Sequence, residues 1–125
     1  MSADVPGLLD KAHRTLSAAE RDLAAGDAEN AVSRAYYAAF HAASAALASE
    51  QVTARTHAGV HDLFYRNFIE TGRLPRALIR TLRRAYSLRE RSDYSLQAMT
   101  DISEVRTLVD EVQTFIDLIE QHTSP

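Results

Sequence analysis

The stretch Asn30–Leu47, NAVSRAYYAAFHAASAAL, decides the fold. Ten of the residues from Ala28 to Ala48 are alanine, the best helix former, and no glycine or proline interrupts them. The start is marked too. Gly26 suits the end of a preceding helix, and Asp27 is a good N-cap with Asn30 three residues on. Two stripes run along this helix. Val32, Tyr36, Ala39, Ala43 and Leu47 keep the three-or-four spacing of a buried face, while Arg34, Tyr37, His41 and Ser44 repeat that spacing on another. Seven residues make almost two full turns, so Arg34 and His41 project the same way. An apolar seam and a chemical stripe on one alanine-rich helix predict a central element that its neighbours approach closely.

Upstream, Met1 to Pro6 reads as a loose lead-in. Leu8, Leu9, Ala12, Leu16, Ala19 and Leu23 then recur at helical spacing between Gly7 and Ala25. The short turn at Gly26 favours an antiparallel pair with the central helix. Downstream, the central helix runs out near Glu50, and Gln51 to Arg55 is a connector. Thr56 is placed to cap a third helix carrying Val60, Leu63, Phe64, Phe68 and Ile69. Gly72 suits its C′ position, and Pro75 suits the first turn of a fourth helix. That helix has the seam Leu74, Leu78, Ile79, Leu82, Ala85, Tyr86 and Leu88. Ser92 to Thr100 breaks the pattern and reads as a connector. Asp101 and Glu104 form a capping-box arrangement before a fifth helix, whose stripe is Ile102, Val105, Leu108, Val109, Val112, Phe115, Ile116 and Ile119. The fold class is all-α: an antiparallel up-and-down bundle of four to five helices in one domain spanning residues 1–125.

Composition removes several chemistries. With no cysteine, disulfides, thiolate metal sites and cysteine nucleophiles are excluded. No apolar run approaches the roughly 20 residues needed to span a bilayer, and no secretory signal is visible, so a cytoplasmic location is expected. Walker, dinucleotide and GxSxG motifs are absent, and no cofactor is expected. His57 and His61 share a helical face beside Asp62, yet no third ligand or HExxH glutamate accompanies them, which favours structural or capping use over a metal. The net charge of −3 does not advertise nucleic-acid binding, but its distribution is uneven. Arg73, Arg76, Arg80, Arg83, Arg84, Arg89 and Arg91 crowd one span opposed by Glu90 alone. Arginine suits phosphate because its planar fork bonds two oxygens at once. The competing reading is that these arginines pair with the acidic fifth helix or with solvent. No aromatic residues interleave with them in the manner of a base-stacking platform.

AVSRAYYAAFHAASAALASE, followed by THAGVHDLF, TGRLP and LRRAYSLRERSDY, resembles the HEPN domain family of small all-helical prokaryotic proteins. The resemblance runs from about Leu8 to about Ile119. It implies a homodimer, often paired in a toxin–antitoxin-like system with a minimal nucleotidyltransferase, and acting as an interaction and RNA- or nucleotide-binding module. Arg34, Tyr37, Arg84 and Arg91 are the candidate RNA- or nucleotide-binding residues. The resemblance also implies a rival: a metal-independent ribonuclease toxin that cleaves by 2′-hydroxyl attack. A third reading is a substrate-binding subunit of the transferase. HEPN ribonucleases carry an arginine, four to six residues, then a histidine. Arg34 with His41 and Arg55 with His61 satisfy that spacing, but in HEPN toxins the motif lies on a late helix before a tyrosine. The matching place here is Arg89, Asp93 and Tyr94, with Asp93 where the histidine would stand. The catalytic candidates are therefore Arg89, Asp93, Tyr94 and His41. A carboxylate accepts a proton at neutral pH much less effectively than an imidazole, which counts against cleavage. The pairing of the two strings further implies that Arg34, Tyr37 and His41 converge with the RSDY segment. The competing reading makes them a polar network between packed helices.

Overall fold

The computed structural model describes residues 4–94 and 101–125; the side chain of Tyr94 falls outside the description. Among these residues five α-helices follow one another: α1 Val5–Ala24, α2 Ala28–Ser49, α3 His57–Phe64, α4 Arg76–Tyr94 and α5 Ile102–Thr123. The all-α architecture is the one the sequence predicts. Helix α3 runs directly into a π-helical turn, Tyr65–Ile69, closed by a wide hydrogen bond from Glu70 N–H to the Tyr65 carbonyl at 2.8 Å. Among the described residues there is no strand.

Helix α2 is the middle of the molecule. It packs against α1, α3, α4 and α5. All ten of its alanines are buried, with Val32, Tyr36 and Leu47. A methyl group is the smallest side chain that still excludes water, so close approach is possible on several sides at once. The polar contacts give the helix directions. Arg34 reaches Asp22 and Arg73 reaches Glu50, while Tyr37 lies against Arg89. Helix α2 is therefore antiparallel to both α1 and α4. Arg84 with Glu111 and Arg91 with Glu104 make α4 antiparallel to α5. The core continues through Leu16 of α1, Leu82 of α4 and Val105, Leu108 and Val112 of α5, all at or near zero exposure. Phe64, at the end of α3, packs its ring at a tilt against those of Phe68 and Phe115.

The caps are largely those expected. Asp27 accepts from Asn30 N–H, Thr56 accepts from Gly59 N–H, and Gly26 and Gly72 take the left-handed conformation at φ 80° and 78°. Helix α2 ends in a Schellman motif, with Val52 N–H bonded to the Leu47 carbonyl and Gln51 at φ 58° in the position glycine usually takes.

Several boundaries and contacts differ from expectation. Helix α1 starts at Val5 because Asp4 caps it through Gly7 N–H and Pro6 tolerates the first turn. Helix α4 continues through Ser92 and Asp93 to Tyr94, since Asp93 pairs back to Arg89 one turn earlier. The rest of the connector expected at Ser92–Thr100, residues 95–100, lies outside the described residues. Leu63 is only half-buried, because Val60 and Phe64 point more directly into the core. Ile102, placed on the apolar stripe of α5, is 39% exposed in the first turn of that helix. Glu104 does not complete a reciprocal cap; its carboxylate accepts from Arg91 Nη2 at 2.9 Å.

Candidate functional site

Where α2, α3 and α4 meet, one hydroxyl organises a cluster. The Tyr36 side chain is fully buried, and its oxygen lies 2.7 Å from His57 Nδ1 and 3.0 Å from His61 Nε2. A phenol has one proton, so it donates to one imidazole and accepts an N–H from the other. The i,i+4 spacing of the two histidines on α3 lets both reach it. Burial pushes the Tyr36 phenol above its ordinary range, so it stays protonated. Burial also lowers both histidines; Arg89 adds to the effect at His57, and His57 and Arg83 add to it at His61. All three groups are therefore held neutral at pH 7. The expected structural use of His57 and His61 takes this form. Among the described residues no group of His, Asp and Glu is placed to hold a metal ion.

Arg89 covers the other side of the tyrosines. Its guanidinium carbon lies 4.8 Å from the centre of the Tyr37 ring and 5.5 Å from that of Tyr36. Its Nε stands 3.5 Å from Asp93 Oδ2. The carboxylate that replaces the expected histidine is thus a counter-charge for Arg89. Tyr37 meets Arg89, two residues ahead of the RSDY segment, and Arg89 in turn pairs with Asp93 of that segment.

The rest of the stripe on α2 turns toward α1. Arg34 Nη1 is 3.3 Å from Asp22 Oδ2 near the C-terminal end of α1. His41, two turns further on, lies in the field of Lys11. Burial first, and Lys11 second, lower its pKa from 6.5 to about 4. It is neutral at pH 7, but so low a pKa also makes it a weak base. Arg34 and His41 thus face different partners along α1 rather than closing on one reacting phosphate.

The arginines of α4 divide into two groups. Arg84 pairs with Glu111 at 3.8 Å, Arg91 with Glu104 and Arg89 with Asp93, and Arg73, just before α4, pairs with Glu50. For these four, the charge-pairing reading is the observed one. Arg76, Arg80 and Arg83 remain exposed on one line of the helix, and none has a carboxylate within 4 Å among the described residues. Arg83 lies 5.4 Å over the ring of Tyr65. The sequence does not single out Tyr65, because the arginine that covers it, Arg83, comes from the next helix. Periodicity likewise marks Tyr36 only as a core residue. The only advance signal for that cluster was the histidine pair with a tyrosine on a neighbouring helix.

A family model for the HEPN domain matches residues 5–122. The chain belongs to the HEPN domain family. Two Methanocaldococcus jannaschii proteins, each carrying "putative toxin" in its name, are similar to this HEPN chain. One is 31% identical over 118 residues, covering 94% of this chain and 87% of its own length; the other is 28% identical over 115 residues, covering 92% and 78%. A Thermotoga maritima protein named as a UPF0332 protein is 30% identical over 92 residues, covering 74% and 70%. No helix among the described residues is long and apolar enough to cross a membrane.

Proposed function

We propose that this HEPN chain acts as a dimeric RNA- or nucleotide-binding module of a toxin–antitoxin-like pair, with a nucleotidyltransferase as its partner protein, and that it holds RNA without cutting it. The observation that carries the proposal is the division of the α4 arginines. Arg89 is neutralised by Asp93 at the place where the family's ribonucleases keep a histidine. Arg76, Arg80 and Arg83 stay exposed, with no carboxylate within 4 Å among the described residues. The first arrangement removes a base and a free cation from the cleavage site. The second leaves a line of planar cations suited to a phosphate backbone. The "putative toxin" names of the M. jannaschii relatives support the toxin-type assignment.

The test is fluorescence anisotropy with labelled RNA in EDTA, followed by gel analysis of the same samples. Binding is expected to weaken with salt, with a log–log slope of about −2 for three arginines on a single strand. The RNA is expected to emerge intact. Cleavage in EDTA that disappears in His41→Ala would overturn the proposal in favour of the ribonuclease.

A further inference from the structure

We infer that the cleft between α3 and α4 seats one base of a single-stranded RNA whose backbone follows the exposed arginines of α4. The inference rests on the RNA-binding reading above; it adds the kind of RNA and the place of the base.

Arg76, Arg80 and Arg83 stand at i, i+4 and i+7, a line roughly 10 Å long at the helical rise. At its end opens a cleft of about 350 Å³ lined by Ala58, His61, Asp62, Tyr65, Arg83 and Tyr86. This is near the lower end of the range for small-molecule sites, about 300–1,000 Å³, and suits one base with its sugar. Its walls are flat groups. The Arg83 guanidinium sits over the Tyr65 ring, and the His61 and Tyr86 rings meet edge to face at 5.3 Å. Aromatic and guanidinium planes stack on bases without regard to sequence, and a positive track beside them carries the backbone. The polar edges are also placed for a base. Tyr36 occupies Nε2 of His61, so Nδ1 is the ring nitrogen a base would have to address. Asp62, held by Arg66 at 3.1 Å, can accept from an exocyclic amine.

These features select among ligands. An acidic protein surface would use the arginine line but leave the aromatic cleft idle. Duplex RNA would offer the line its phosphates, but its bases are locked in the stack. A single strand uses both. The α4 segment alone hid this arrangement, because Tyr65 comes from the π turn that follows α3 and meets Arg83 only in the folded bundle.

The experiment compares a short single-stranded RNA with its duplex by anisotropy. Wild type, Tyr65→Leu, Tyr65→Trp, Arg83→Gln and the charge control Arg106→Gln on α5 are each measured, with circular-dichroism melts to establish folding. Wild type is expected to prefer the single strand. Tyr65→Leu should weaken single-strand binding about 5- to 150-fold, the range for loss of one base stack, and leave duplex binding unchanged. Tyr65→Trp, which keeps a stacking face, should retain affinity. Arg83→Gln should weaken binding to both forms, and Arg106→Gln to neither. Equal affinity for strand and duplex would overturn the inference, as would unchanged single-strand binding by a folded Tyr65→Leu. Displacement of the RNA by polyglutamate as effectively as by unlabelled RNA would also overturn it, in favour of an acidic protein partner. If wild type binds no RNA in either form, the underlying functional reading fails first, and the two failures are told apart.

Discussion

Tyr36 shows how much one atom can hold. Its hydroxyl is the hydrogen-bond partner of two imidazoles on α3. Tyr36→Phe keeps the ring and its packing but strands a polar nitrogen on each histidine. The expected cost is about 1–3 kcal/mol in a urea denaturation experiment. No change at all would mean that water already serves His57 and His61. Sequence spacing placed Tyr36 correctly on the buried face of its helix. It could not supply the hydroxyl's role, because His57 and His61 reach it across more than twenty residues of chain. His41 makes a second prediction at this scale. Its pKa is about 4 in the fold against 6.5 ordinarily. Below pH 6.5 the unfolded chain takes up a proton that the folded His41 refuses, so stability is full above that point and falls as the pH drops toward 4. His57 and His61 act in the same direction. Melts at about pH 7 and about pH 5 should show a smaller loss for His41→Gln than for wild type. Equal losses would mean that His41 does not carry the effect.

Helices α2 and α4 differ in what their sequences disclose. The face of α2 was legible because alanine, valine and leucine report burial directly through periodicity. Its tight packing predicts that Ala43→Leu costs about 1–3 kcal/mol by overpacking, measured as a shift in urea midpoint. On α4 the apolar seam was equally clear, but the fate of the arginines was not. A charge run does not disclose which members a facing helix will neutralise, and Arg84 and Arg91 find their carboxylates only when α5 folds back antiparallel. Arg89 and Asp93 are a local i,i+4 pair, and their side chains are 25% and 43% exposed. With its carboxylate that open to solvent and the contact 3.5 Å long, the pair contributes little. Asp93→Asn should change the melting free energy by less than about 1 kcal/mol and should tighten RNA binding, since a repelling charge is gone. A loss of about 3–5 kcal/mol would instead mark a buried, obligatory pair.

The whole molecule is proposed to work as an isologous homodimer, the commonest closed assembly, and light scattering at micromolar concentration checks this. Only monomer in that experiment would count against it. The central place of α2 also governs how the molecule opens. Every other helix leans on α2, so its amides can meet solvent freely only when the entire bundle comes apart. Helix α3, with eight residues, is a lighter element that can lift away while α1, α4 and α5 still enclose α2. Native-state hydrogen exchange should therefore report two levels of protection: the global free energy along the middle of α2 and a lower one across α3. Because α3 forms one wall of the cleft that it shares with α4, bound RNA should slow the exchange of α3 while leaving α2 at its global limit.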